Sequence, residues 1–456
     1  MTRETGLIAI TTDPHAEVGR NLSEAVPQTL GLLDQFGLWA NLGVSLLGFT
    51  GAIFVLQPGG PGTPRLSMLA ALVAIVVGTL LGTLAVALAG LPGAMTGAPA
   101  MVLLRGLFGT RLSYLPTALN IAQCMGWGTF ELVTIATAAH QVAPGLPRWA
   151  AVVIAGVVTI ALTIRPLGAV RILRRYVGVA LIVVVAYLFI QILRHPLPAL
   201  DQGSWGGFWV AMDTTVAVAV SFVPLAADYT RHARSPRVAF VGTLVGYGVA
   251  QVACYVLGIF VLLTVARGPD DIYGAFIAVP LGWAAFAVLA ARELDQSFAN
   301  VYSTAVSLQN LRGRLDRRVL AVAIGVVCTT LALTFNIGDY KDFLYLLGSV
   351  FVPLFGVFVT DFFVCSRRRW DLTGRSTARW LMTLPWGAGF VAYQLINPGT
   401  LGWWQPVWTA VRGWLGWQPA SWMSASVCSF LVAGLLTLVL GRMEGRQIRE
   451  REIPAA

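Results

Sequence analysis

Apolar runs of about 20 residues, the length a helix needs to cross the ~30 Å hydrocarbon layer of a bilayer, recur along this chain between short polar connections. They predict twelve membrane helices, at residues 32–56, 66–90, 112–139, 149–164, 175–193, 206–230, 238–266, 275–308, 319–336, 343–365, 379–396 and 421–441. The fourth run is short and the eighth long. From the apolar stretch 275–289 the eighth passes without a turn signal into Arg292, Glu293, Asp295, Gln296 and Asn300, so these residues are expected on one long membrane helix. A charged group near a bilayer centre costs at least ~2.5–3.5 kcal/mol, which makes an acid there a pointer to function. Arg292 and Glu293 read as an internal pair that neutralises itself.

Two other runs carry interruptions. The first holds Gly43, Gly48 and Gly51 with the hydroxyls of Ser45 and Thr50; the sixth holds Ser221 and Pro224 between Asp213 and Asp228. A proline lacks the amide donor and clashes with the preceding turn, so freed carbonyls need another partner, which a cation or a polar substrate supplies. Glycines also let helices pack closely, and for either run alone both readings stand. Their positions weigh more than their content. They open the first and second sets of five helices, where an inverted-repeat transporter places its discontinuous helices. No residue-level likeness links the halves, so the repeat is inferred from the number of spans.

Composition agrees with a polytopic membrane protein and excludes an ordinary water-soluble domain: 57% hydrophobic, 11% charged, with a mean hydropathy of +0.73. Residues 1–29 carry His15, Arg20 and several acids without an apolar core before a cleavage site, so no signal peptide is expected and the first span acts as its own insertion signal. The net charge of +10 is explained by topology rather than by nucleic acid. With the N-terminus inside, 24 of the 31 Lys and Arg fall in cytoplasmic segments and only Arg65, Arg148, Arg194, Arg267, Lys341 and Arg412 fall outside. The positive-inside rule then places both termini in the cytoplasm and the chain in the plasma (inner) membrane. The expected division is a cytoplasmic segment 1–30, a ten-helix core 31–365, two further helices within 366–441 and a cytoplasmic tail 442–456. The six tryptophans between Asn397 and Trp422 read as an interfacial belt.

Several chemistries lack support. The five cysteines form no Cys-x-x-Cys pair, and His15, His140, His195 and His232 lie at ends and loops, so neither a disulfide framework nor a metal cluster is expected. No phosphate-cradling Gly-x-x-x-x-Gly-Lys motif is present. A membrane enzyme would need a nucleophile with its base, or a metal cluster, facing one site, and neither is visible. No cofactor, nucleic acid or obligatory protein partner is expected.

Leu47-Gly48-Phe49-Thr50, Gly126-Trp127, Pro224 through Asp228-Tyr229-Thr230-Arg231, and Asn300-Val301-Tyr302-Ser303 together resemble the nucleobase:cation symporter family, in its purine-cytosine permease branch. The resemblance covers essentially the whole chain in span number and spacing. It implies an all-α fold of twelve transmembrane helices, a five-plus-five inverted-repeat (LeuT-like) core with discontinuous first and sixth helices plus two extra helices. It also implies inward transport of nucleobases, hydantoins, allantoin or related heterocycles, driven by sodium or protons.

Carried over residue by residue, Trp127 is similar to the aromatic on which the heterocycle stacks, a contact worth ~0.5–1.5 kcal/mol beyond burial. One helical turn on, where the family often has an amide, stands Glu131, a carboxylate suited to a ring edge rich in donors, or else a structural acid. Asn300 matches the substrate-reading asparagine; Phe222 and Ser221 are the nearest candidates for the wall in span six, and Gly48 and Thr50 for the contacts from span one. The family's sodium site uses hydroxyls where this chain has Leu294 and Asp295. Asp295, with Ser45 and Gly48 of the broken first span, is therefore the candidate for cation coupling, holding sodium or, by preference, a proton. Asp228 through Arg231 read as a gate or loop anchor, and Asp213 as an acid of the outer vestibule or a solvated one.

The expected function is a secondary active symporter importing a nucleobase of the cytosine or purine class by alternating access. The alternatives are another heterocycle, such as a hydroxymethylpyrimidine, a hydantoin or allantoin, and an uncoupled channel or facilitator.

Overall fold

The computed structural model describes residues 9–13, 20, 24–60, 62–164, 178–268, 271–335 and 340–452. The side chains of Asp295 and of residues beyond 443 lie outside that description, as do residues 165–177, which include the expected start of the fifth span.

Every expected span has a helix or helix pair. The first is broken into α1 (Leu32–Gly43) and α2 (Leu46–Leu56), bent by 57°. Then come α3 (Met68–Thr96), a short α4 (Ala100–Phe108), α5 (Tyr114–Val142), α6 (Arg148–Ile164) and α7 (Gly178–Ile192). The sixth is interrupted: α8 (Phe208–Val220), a 3₁₀ turn at Val223–Leu225, and α9 (Ala226–Thr230). There follow α10 (Pro236–Thr264), α11 (Ile272–Ala278), α12 (Gly282–Leu311), α13 (Arg317–Ala332), α14 (Tyr340–Thr360), α15 (Thr383–Ile396), α16 (Gln405–Leu415) and α17 (Ala425–Glu452). Among the described residues, five spans, including α8 through α9, are each long and apolar enough to cross a membrane, and the bent α1–α2 pair makes a sixth. A side-chain cap and a left-handed glycine account for the ends of α3: Ser67 accepts from the Ala70 amide at 3.1 Å to start it, and Gly97, at φ 72°, ends it.

One expected element differs. The eighth run is not a single helix from 275, because Pro280 holds Val279 extended and supplies no amide. Leu281, at φ 50°, turns the chain, and α12 begins only at Gly282.

The helices pack in three groups. The pair α1–α2 lies with α3, α8–α9 and α10; α5 and α6 lie with α12 and α13; α14, α15 and α17 form the third. Each of the first two groups draws the same members from the first five and the second five spans, as an inverted repeat requires. Glycine allows the backbones within the first group to meet. A Cβ added at Gly82 of α3 would lie 2.6 Å from Ala219 Cβ on α8, and one at Gly43 of α1 would lie 2.8 Å from the Tyr247 carbonyl oxygen on α10.

Asp213 belongs neither to a vestibule nor to solvent. It is buried, and its carboxylate accepts from Ser424 Oγ (2.5 Å), the Ala425 amide (2.8 Å) and the Ser426 amide (3.2 Å), so it caps α17 from α8. An acid satisfies the free amides of a helix start and is attracted to the positive end of its dipole, which explains a buried acid at this point. The tryptophan-rich loop forms α16, with Trp403, Trp414 and Trp422 exposed.

Candidate functional site

The break in the first span leaves backbone groups that no helix satisfies. Val44 and Ser45 are extended, so the last carbonyls of α1 and the first amides of α2 need other partners. Side chains of α12 supply them. Gln296 Nε2 donates to the Leu42 carbonyl, and Glu293 Oε1 accepts from the Leu46 amide at 2.6 Å while Ser45 Oγ donates to Glu293 Oε2 at 3.3 Å. A carboxylate at the start of α2 also meets the positive end of that helix's dipole. Arg292 Nη1 lies 3.6 Å from Glu293 Oε1, and its Nε donates to Asn41 Oδ1 at 3.4 Å. The Arg292–Glu293 pairing expected from the sequence is present, and Glu293 additionally holds the break. The second break is braced by Gln123 of α5, whose Nε2 donates to the Ser221 carbonyl at 3.0 Å.

Between the two breaks lies a buried cavity of about 20 Å³, room for about one water molecule. Of the residues singled out in the sequence, it brings together Ser45, Gly48, Trp127, Glu131, Phe222 and Asn300. Thr50 and Ser221 are not on its wall. Thr50 Oγ1 bonds Tyr273 OH at 3.1 Å, because its place on α2 turns it toward α11, and Ser221 Oγ donates back to Val218 O at 2.6 Å. Asp295 lies outside the described side chains.

The lining also contains Gln296 of α12, named in the sequence only as part of the polar stretch, and residues that the sequence did not single out: Tyr247, Gln251 and Tyr255 of α10 and Tyr340 of α14. The signal for the three on α10 was legible, since polar positions spaced by four on an otherwise apolar run form a stripe on one helix face. Tyr340 carried none. Five buried polar atoms on this wall have no partner within the protein: Trp127 Nε1, Glu131 Oε2, Gln251 Oε1, Tyr255 OH and Tyr340 OH. Buried polar groups are ordinarily paired, at a cost of about 1–3 kcal/mol each when they are not. Five around one cavity present both donors and acceptors to its interior.

The orientation of these groups is fixed from behind. Gln251 Nε2 donates to Thr79 Oγ1 and to the Thr215 carbonyl, both at 3.0 Å, which leaves Oε1 as an acceptor toward the cavity. Trp127 stands nearly perpendicular to Tyr340 and Phe343, at ring separations of 5.8 and 5.3 Å. Glu131 faces Glu293 at hydrogen-bonding range.

Contacts between helices flank the cavity on two sides. On the α11 side Tyr273 OH donates to the Leu46 carbonyl at 3.2 Å and Phe49 packs on Phe276 at 4.6 Å. On the α9 side Asp228 accepts from the Ala100 amide at 2.9 Å and from Ser303 Oγ at 2.7 Å, and Tyr229 OH donates to the Ala299 carbonyl at 2.7 Å. Among the described residues no group of three or more His, Cys, Asp or Glu is placed to hold a metal ion.

Residues 36–379 match the model of a family described as permeases for cytosine/purines, uracil, thiamine and allantoin. A cytosine permease of Escherichia coli O157:H7 is 26% identical over 359 residues, 76% of this chain and 83% of that protein. The structure is similar to that of Mhp1, a nucleobase-cation-symport-1 family transporter in a closed conformation with bromovinylhydantoin bound, at a TM-score of 0.73 and 16% identity over 93% of this chain and 95% of that one. It is also similar to a Na⁺-coupled sialic acid symporter in a substrate-bound outward-open state, at a TM-score of 0.60 and 12% identity over 91% and 90% of the two chains. These structural likenesses establish the all-α, LeuT-like transporter fold.

Proposed function

Because the chain belongs to the family of permeases for cytosine/purines, uracil, thiamine and allantoin, we propose that it is a secondary active symporter that imports a nucleobase of the cytosine or purine class with a cation. The observation that carries this reading is the cluster of five unpaired polar atoms around a cavity set between two helix breaks. Trp127 offers the ring on which a flat heterocycle stacks, with Phe222 on the wall contributed by the sixth span. Glu131 and Gln251 Oε1 present acceptors, which favours a ring edge carrying an amino group beside a ring N–H. Asn300, whose Nδ2 donates to Gln296 O at 3.1 Å, keeps its amide oxygen for the substrate. The coupling cation, proton or sodium, belongs to the acid-bearing stretch of α12, with Asp295 the candidate named by position and Ser45 and Gly48 beside the break.

The cavity wall draws Gly43, Ser45, Gly48, Phe222 and Gln251 from the first helix group and Trp127, Glu131 and Asn300 from the second. Rocking one group against the other opens it to either side, and room for one water requires such a movement before a ring can enter. Orientation follows the positive-inside distribution, with both termini cytoplasmic.

The test is uptake of labelled heterocycles by proteoliposomes under imposed sodium or pH gradients, over a panel of cytosine, adenine, uracil, allantoin, a hydantoin and a hydroxymethylpyrimidine. Accumulation above equilibrium only under a gradient, with amino-bearing rings preferred, is the expected result. Uptake indifferent to both gradients makes the protein a facilitator, and a preference for rings without an amino group refutes the assigned edge contacts.

A further inference from the structure

Glu131 of α5 and Glu293 of α12 are both buried and converge on Ser45 at the break in the first span, Glu131 on the cavity wall that Ser45 also lines and Glu293 in hydrogen bonds with Ser45 Oγ and the Leu46 amide, so that the two carboxyl groups interact. Two carboxylates that close in a site shut off from water cannot both be ionised, so the pair holds one proton. The surroundings decide where it sits. Glu293 accepts from the Leu46 amide and from Ser45 Oγ and lies beside Arg292 at 3.6 Å, so its oxygens are already met by donors. Glu131 Oε2 receives no donor, which suits a neutral carboxyl whose hydroxyl points to Glu293. The other titratable groups facing the pair are Tyr247 and Cys254 of α10, Tyr273 of α11 and Tyr340 of α14; Arg292 is the cation beside it.

Arg292 supplies the second observation. Its side chain is fully buried, and Nη1 and Nη2 make no hydrogen bond to the protein. With the proton present, Arg292, Glu293 and Glu131 sum to zero charge; without it they sum to minus one. The buried guanidinium beside Glu293 therefore makes the deprotonated pair attainable inside the membrane.

We infer that the Glu131–Glu293 pair, poised by Arg292 across the break between α1 and α2, is the seat of the coupling ion and that this ion is a proton. The inference rests on the transport reading above and narrows it. The proton comes from water on the outer side, forming the O–H bond on Glu131, and returns to water on the inner side when that bond breaks; no other bond changes. Its loss brings two like charges into contact and weakens the hold of Glu293 on the Leu46 amide, so protonation state and the geometry of the break are linked. Glu131 also lines the substrate cavity, which ties the proton to the cargo. The seat is distinct from Asp295. Glu293, Gln296 and Asn300 recur at i, i+3 and i+7 along one helix face, a series to which position 295 does not belong.

The test uses purified full-length protein in sodium-free proteoliposomes with a pH-sensitive dye inside. Adding cytosine or adenine outside is expected to acidify the lumen by about one proton per substrate carried, since a coupled pair shares one exchangeable proton in this range. In Glu131→Gln and in Glu293→Gln the protons moved per substrate fall at least about tenfold on whatever flux remains, and substrate affinity in detergent, measured by calorimetry, loses its dependence on pH. If neither variant folds, the wild-type ratio still decides. Substrate entry driven by a sodium gradient without proton movement overturns the inference, as does an unchanged ratio in Glu131→Gln. Absence of binding or exchange of any heterocycle by the wild type overturns the transport reading and the inference with it.

Discussion

Replacing Gln251 with methionine removes one acceptor from the cavity wall while keeping the side chain's length. The glutamine amide is oriented by two acceptors behind it, Thr79 Oγ1 and the Thr215 carbonyl, so Oε1 alone is offered to a ligand. A substrate N–H that meets methionine sulfur or hydrocarbon instead is left buried without a partner, at a cost of about 1–3 kcal/mol. That corresponds to a loss of affinity of about 5- to 150-fold. An analogue with C–H in place of that donor has nothing to lose, so its affinity should hold. Cytosine against 2-hydroxypyrimidine and adenine against purine are suitable matched pairs. Equilibrium competition on the purified protein reads the ratio within each pair, and melting temperature in detergent separates ligand loss from unfolding, because methionine also abandons two internal hydrogen bonds. The expected result is collapse of the preference for the amino-bearing member. If both members weaken equally, or neither changes, Gln251 does not read the ring edge.

Other substitutions probe the rest of the architecture. Trp127→Ala should weaken heterocycle binding by about 5- to 150-fold, the range for losing one aromatic stacking partner of a base, and Trp127→Phe should weaken it less; a change below about twofold for alanine removes Trp127 from the substrate wall. Asp213→Ala takes away three hydrogen bonds to a buried carboxylate, each worth about 1.5–3 kcal/mol when one partner is charged. Melting temperature should fall, and amide exchange at Ser424–Ser426 should rise well above that at α3; unchanged exchange there argues against the cap. Gly82→Val forces a side chain into the seam where even a Cβ would sit 2.6 Å from Ala219, and overpacking of about 1–3 kcal/mol should lower the melting temperature, with Gly82→Ala milder; equal stability of the three forms would show that the α3–α8 contact is loose.

The α12 stretch shows how far the sequence carries. That a polar, charged segment sits in a membrane helix follows from composition alone, since apolar residues flank Arg292 through Asn300 on both sides. The pairing of Arg292 with Glu293 followed from adjacency and charge. What these residues serve did not follow, because Gln296 reaches the Leu42 carbonyl and Glu293 the Leu46 amide, partners about 250 positions away in the chain. Asp213 failed for the same reason: nothing near it announces that the start of α17, more than 200 residues on, will be its partner. Pro280 is different, since a proline inside an apolar run marks a break in the sequence as clearly as Pro224 does.

The sequence by itself determined which runs form apolar helices, where the first and sixth are interrupted, and that polar groups would be buried among them. These follow from hydropathy, glycine and proline, which act over one turn of backbone. Only the tertiary structure decided which polar groups meet: Glu131 with Glu293, Gln251 with Thr79 and Thr215, and five unpaired atoms around one cavity. Those pairings depend on how each helix is rotated and on which neighbour it packs against, and such rotation is set by contacts between residues far apart in the chain.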